Sequence, residues 1–104
     1  PRTRLDEARA IAKAAAESFT VGSAFAEDVK LGPLVSAAQR DRVRALIERG
    51  AAEGAELVTG GADAPAGCER GYFVKPTVFV VDDSSHILAQ EEIFGPVLTI
   101  VPYD

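Results

Sequence analysis

The sequence has 104 residues, 47% hydrophobic and 26% charged, a balance close to that of soluble globular domains and unlike that of disordered or fibrous chains. Sixteen acids against eleven bases give a net charge of −5, which opposes the phosphate neutralisation that drives nucleic-acid binding and argues against such a partner. One cysteine, Cys68, and one histidine, His86, exclude an intrachain disulfide and leave too few nitrogen and sulfur ligands for zinc, so no metal is expected.

No run approaches the roughly 18 apolar residues of a membrane span. The opening PRTRLDEARA lacks the apolar core of a signal peptide, so the expectation is a soluble, cytoplasmic protein with no membrane partner. Residues 1–104 read as about one domain.

In chain order, Leu5, Ala8, Ile11, Ala12, Ala15 and Phe19 recur at three- and four-residue intervals with Arg9, Lys13 and Glu17 between them. This spacing predicts an amphipathic helix, with Thr3 as its N-cap. Residues 20–35 hold two glycines and a proline and no sustained period, which reads as a long surface connection. Ser36-Ala-Ala-Gln39 then has the form of a capping box, in which serine hydroxyl and glutamine amide satisfy each other's backbone N–H groups. The second helix is expected to bury Val43, Leu46, Ile47 and Ala51 and to stop at a left-handed Gly54. Gly50 inside it costs about 1 kcal/mol against alanine and marks a close contact.

Glu56 to Thr59 is a short strand candidate closed by Gly60-Gly61. The glycine-rich GGADAPAGCERG that follows is a loop with neither the Gly-Lys-Ser/Thr ending of a P-loop nor a GxGxxG pattern. Tyr72 to Val81 is β-branched and aromatic enough for a strand, with Pro76 implying an edge or a bulge. Asp82-Asp83-Ser84-Ser85 can turn the chain and cap a short helix from His86 to about Glu91, and Val97 to Val101 reads as a last strand. The predicted order is α, α, β, β, short α, β: an α/β arrangement of two amphipathic helices, a short helix and about three strands.

Four places could carry chemistry. Arg70 could lower the pKa of Cys68 and favour a thiolate, yet the only histidine belongs to another element, so an unreactive loop cysteine is the simpler reading. His86, at a helix start where the dipole disfavours imidazolium, reads as a surface residue. Arg40, Arg42, Arg44 and Arg49 are interspersed with Asp41, Glu48 and Glu53, which reads as a solvated mixed-charge face with Arg44 four residues before Glu48. The fourth is EEIFGPV, Glu91 to Val97, which sets two carboxylates against an apolar turn. A carboxylate there could accept hydrogen bonds from both hydroxyls of a vicinal diol. A helix-end acid pair with Phe94 in the core is the other reading.

Three stretches, LGPLVSAAQRDRVRALIERGAAEGAELVTGG, RGYFVKPTVFVV and AQEEIFGPVLTIVPYD, together resemble the NAD(P)-dependent aldehyde dehydrogenase superfamily, most specifically in EEIFGPV. The resemblance implies an internal piece of the catalytic domain, a single partial domain downstream of the nucleophilic cysteine. It implies oxidation of an aldehyde to a carboxylic acid through a cysteine thiohemiacetal and hydride transfer to NAD or NADP. By the same resemblance Glu92 binds the nicotinamide ribose hydroxyls, Phe94 packs near the nicotinamide ring, and Gln39 matches a position that in some members touches the cofactor. Arg42 falls where some relatives have lysine.

The family's nucleophile and nucleotide-binding fold precede the matched segments, and Cys68 lies in the wrong segment to be that nucleophile. The expectation is therefore no catalytic residue in this chain, weak or no cofactor binding by it alone, and an inactive chain whose parent is an oxidoreductase. A small-molecule aldehyde and a homo-oligomeric parent are the implied partners. The rival is a non-catalytic α/β module that self-associates through open strand edges.

Overall fold

The computed structural model describes all 104 residues, Pro1–Asp104, and the first helix, α1, forms over Leu5–Glu17. Its entry differs from expectation. A 3-10 turn, Arg2–Arg4, leads into it, so Arg4 and not Thr3 stands at the N-cap, and no side chain caps the first amides. The turn's backbone already closes through Arg4 N–H donating to the Pro1 carbonyl, 2.9 Å, which leaves Thr3 inside the turn and off the cap.

The expected apolar stripe of α1 exists but is not buried. No residue of α1 is buried, and Ile11 and Phe19 are 62% and 47% exposed. Polar ties hold the helix on the sheet instead: Arg9 Nη2 donates to Glu56 Oε2 at 2.8 Å, and Thr59 Oγ1 donates to Glu17 Oε1 at 2.9 Å. Residues 20–35 form the expected irregular connection, pinned by a bridge between Val21 and Leu31.

The second helix, α2, covers Ala37–Ala52, and Ser36 Oγ accepts from Gln39 N–H at 3.1 Å. That is half of the capping box; the Gln39 amide points elsewhere, as described below. Gly54 stops the helix with φ +99°, a backbone that glycine adopts without strain. Val43 and Ile47 are buried and Leu46 half-buried, but Ala51 is exposed. Gly50 takes the inward position of that turn, one turn on from Ile47. A Cβ on Gly50 would lie 2.4 to 2.8 Å from three side-chain carbons of Leu88, so the missing side chain makes room for that leucine.

Strands β1 (Glu56–Thr59), β2 (Thr77–Val80) and β3 (Val97–Ile100) form one sheet in the order β1-β2-β3. The first pair is antiparallel, with a register shift between Leu57 and Thr59, and the second is parallel. Pro76 thus sits just before the central strand, not within an edge strand, and the bulge falls on β1 opposite Val78 and Phe79. The proline's missing donor costs no ladder bond there. Between β2 and β3 the short helix α3, Ile87–Gln90, completes the crossover that a parallel pair requires.

All four residues of β2 are buried, as expected for a strand covered on both faces. Strand alternation sends Phe79 and Val81 into a cluster with Val43 and Ile47 of α2, Leu88 of α3 and Ile93. Val78 faces α1, where it lines an apolar cleft of about 340 Å³ with Ala12, Ala16, Phe19, Pro96 and Leu98. No helix is long and apolar enough to cross a membrane.

Candidate functional site

The connection from α3 to β3 carries EEIFGPV, and the α2 face beside it holds this loop by its backbone. Ile93, 8% exposed, anchors it in the core cluster. Arg42 Nη1 donates to the Ile93 carbonyl at 2.7 Å and Nη2 to the Glu92 carbonyl at 2.9 Å. Gln39 Nε2 donates to the Phe94 carbonyl at 2.9 Å and to the Ile93 carbonyl at 3.3 Å. Gly95 completes the fit, because a Cβ there would lie 2.8 and 2.9 Å from the two methyl carbons of Val43.

The consequence is concentrated at Phe94. It is the one non-glycine residue with positive φ, +57°, and its ring is exposed, with 76% of the residue accessible. A left-handed backbone at a bulky residue costs about 1–3 kcal/mol. Four hydrogen bonds to the loop's carbonyls, at about 0.5–1.5 kcal/mol each, together with burial of Ile93 at about 1.5–3 kcal/mol, outweigh that cost. The strain is over-determined by its surroundings and serves to turn the ring outward while Ile93 turns inward.

Glu91 and Glu92 are both exposed, and the Glu92 carboxylate takes part in none of the chain's ion pairs. A free carboxylate and an outward aromatic ring thus stand two residues apart on a fixed loop. This donor set fits a ligand with a vicinal diol next to a flat ring, since one carboxylate can accept from two hydroxyls and an aromatic face can stack. No group of three His, Cys, Asp or Glu side chains is placed to hold a metal.

The other candidates resolve differently. Cys68 is buried, and its Sγ–H donates to the Val21 carbonyl at 3.7 Å, a structural contact. His86 is half-buried and not a surface residue: it is itself the N-cap of α3, its Nδ1 accepting from Leu88 N–H at 3.2 Å. Asp83 organises the turn before it, and hydrogen bonds from the Ser85 hydroxyl and Ser85 N–H hold its carboxyl below the usual carboxylate range.

The expected mixed-charge face of α2 exists in part: Asp41, Arg42, Glu48, Arg49 and Glu53 are exposed, but three of its arginines also reach loop carbonyls. Arg40 Nη1 donates to the Gly71 carbonyl at 3.1 Å, with its guanidinium 5.8 Å from the Tyr72 ring centre, and Arg44 donates to the Phe73 carbonyl at 3.0 Å in place of pairing with Glu48. Ion pairs along the helix join Arg40 to Asp41 at 2.9 Å and Arg49 to Glu53, four residues on, at 2.6 Å. Arg42 and its two carbonyl partners were missed by reading charge pattern alone, because the partners lie about fifty residues away. The only available signal was its spacing of three from Gln39, which puts both on one helix face.

The segment is α/β and presents a carboxylate and a ring from a stapled loop, and comparison with known proteins names its family. The aldehyde dehydrogenase family model matches residues 1–104, and the chain belongs to that family. It is similar to a 3-succinoylsemialdehyde-pyridine dehydrogenase of Pseudomonas sp., 43% identical over 103 residues, covering 99% of this chain and 22% of the relative. Among solved structures it resembles a mutant of aldehyde dehydrogenase C from Pseudomonas syringae in complex with NAD+ and octanal. There the TM-score is 0.96 at 47% identity, over 100% of this chain and 21% of that one. An aldehyde dehydrogenase of Mycobacterium tuberculosis complexed with NAD+ gives a TM-score of 0.94 at 45% identity, over 100% of this chain and 21% of that one. The chain therefore spans about a fifth of the length of these relatives.

Proposed function

We propose that this chain forms the nicotinamide-side wall of the cofactor site in an NAD(P)+-dependent aldehyde dehydrogenase that oxidises a small aldehyde to a carboxylic acid. The observation that carries the reading is the EEIFGPV loop, with a free Glu92 carboxylate and a strained, outward Phe94. Glu92 accepts hydrogen bonds from the nicotinamide ribose hydroxyls, and Phe94 packs beside the ring. The Gln39 side chain, at the foot of the same loop, is the third cofactor-site residue.

When bound, NAD(P)+ supplies the hydride acceptor. The chain's own contribution is position. A fixed carboxylate and a fixed ring restrict where the nicotinamide half can lie relative to the reacting carbon, and such orientation can supply about 7–11 kcal/mol of a barrier. The chain alone is inactive: its single thiol, Cys68, is buried in a structural contact, and no other cysteine is present. Relatives in complex with NAD+ support NAD+ as the cofactor, and the octanal complex supports an aldehyde substrate. A cytoplasmic, homo-oligomeric parent completes the reading.

The test is Glu92→Gln in the intact protein. NAD+ affinity by titration and the hydride-transfer rate in a single turnover are both expected to fall, whereas no change in either sinks the role of Glu92.

A rival reading has a structural observation of its own. Both outer strands of the sheet are open edges, with Leu57 and Leu98 44% and 52% exposed, and such edges invite pairing with another copy. A self-associating module would show dimers by light scattering of this chain, and a stable monomer at high concentration would dismiss it.

A further inference from the structure

Arg42 is the least conventional member of the site. Its two terminal guanidinium nitrogens are each engaged by a backbone carbonyl of the loop, Ile93 at 2.7 Å and Glu92 at 2.9 Å. A planar fork suits two adjacent acceptors held at fixed spacing, which the single ammonium of a lysine does not reproduce. Gln39, one helical turn earlier, takes the next carbonyl, that of Phe94, at 2.9 Å. Three consecutive carbonyls, 92 to 94, are thereby pointed at α2, and the last of them belongs to the residue whose φ is +57°.

Carbonyl direction sets the peptide planes on either side of each Cα, and so the φ and ψ of Ile93 and Phe94. With all three carbonyls turned to α2 and the Ile93 side chain buried, the side chains of Glu92 and Phe94 are left to the outer face, where both are exposed. Nothing else in the chain constrains them: the Glu92 carboxylate joins no ion pair. We infer that Arg42 is a positioning residue, a two-carbonyl clamp that acts with Gln39 to hold Phe94 in its left-handed backbone and so aims Glu92 and Phe94 at the cofactor. The inference rests on the cofactor reading above for its purpose, but the clamp itself is a property of this chain.

The test compares Arg42→Ala and Arg42→Lys with the parent in the intact protein, by three readouts: amide hydrogen exchange across residues 91–97 without cofactor, NAD+ affinity, and single-turnover hydride transfer at saturating NAD+. Expected are faster exchange in the loop and hydride transfer slowed about 10- to 100-fold in Arg42→Ala, as for misplacement on the order of 1 Å. NAD+ affinity should fall no further than in Glu92→Gln, because Arg42 acts on the ligand only through the loop it holds. Arg42→Lys should fall between, keeping one of two carbonyl contacts, and it carries the comparison if the alanine variant fails to fold.

Unchanged exchange in a folded variant overturns the clamp whatever the kinetics. A loss of affinity with hydride transfer at saturation unchanged also overturns it, since that pattern makes Arg42 a cofactor contact. Faster exchange with affinity and hydride transfer both unchanged leaves Arg42 a loop staple and overturns its positioning role, while the cofactor reading itself stands or falls with Glu92→Gln.

Discussion

The two faces of the sheet are unequal, and not in the way their helices suggest. Helix α1 has the cleaner apolar period, yet none of its own residues is buried and it is tied down by Arg9–Glu56 and Thr59–Glu17. Helix α2 is studded with arginines, yet Val43 and Ile47 are 0% and 2% exposed against Phe79. Periodicity reports that a face is apolar; it does not say that the partner for that face lies within the same stretch of chain. The α1 face, with its open cleft of about 340 Å³, belongs to a chain that spans about a fifth of its relatives. The α2 face is complete, and it is the one that carries the site.

The sharpest way to break this comparison is to cut each face in turn. Phe79→Ala on the α2 side should cost about 3–5 kcal/mol, enough to abolish cooperative denaturant unfolding of the 104-residue chain. Retention of a cooperative transition near the parent midpoint would contradict it. Gly50→Ala should cost about 1–3 kcal/mol by overpacking against Leu88, and Leu88→Ala in the same chain should recover part of that loss; additive losses would mean that the two residues do not share the space. Gly95→Ala pushes on Val43 methyls at the tip of a side chain, and a smaller cost of about 1–2 kcal/mol is expected, accompanied by a change in loop exchange that Gly50→Ala does not produce.

On the α1 side, Ile11→Ala should change the stability of the isolated chain by less than about 0.5 kcal/mol. In an intact protein that covers α1 the same substitution should cost about 2–5 kcal/mol, so the difference between the two contexts measures how much of α1's partner lies elsewhere. The smallest effect is electrostatic. Asp83 has a carboxyl pKa lowered by its hydrogen bonds from Ser85, so its contribution is present above the unfolded value of about 3.9. It is lost as pH falls through the lower folded value. Asp83→Asn should therefore flatten the acid limb of the stability profile by removing a small contribution near neutrality, and should leave stability below the folded value unchanged.

What could be read in advance divides along sequence distance. The order of elements, the Ser36 cap, the Gly54 stop and the close approach at Gly50 are all local or nearly local signals, and the fold contains them. Two failures are local, the Thr3 cap displaced by the Arg2–Arg4 turn and His86 serving as the α3 cap; the others are long-range. Gln39 satisfies its cap through its backbone N–H but spends its side chain on Ile93 and Phe94, and Arg44 leaves Glu48 for Phe73. A motif written over four residues cannot register a partner 29 or 55 residues away. The expected burial of Ala51 fails by the same limit, since only the position of Leu88 shows that Gly50, not Ala51, faces inward.

The EEIFGPV loop shows both sides of this. Its residues were visible as an oddity, two acids against apolar neighbours, and the family resemblance offered them roles. The left-handed Phe94 and the three carbonyls turned toward α2 were not visible, because they depend on the packing of an element from the other half of the chain.

The central claim is that this loop faces the nicotinamide half of the cofactor. The most direct measurement is a crystal structure of the intact protein with NAD+ bound. The account predicts Glu92 carboxylate oxygens about 2.5–3.0 Å from the nicotinamide ribose hydroxyls, with the Phe94 ring beside the nicotinamide and its backbone still left-handed. A ribose held by other residues, with the Glu92 carboxylate in solvent, would contradict it.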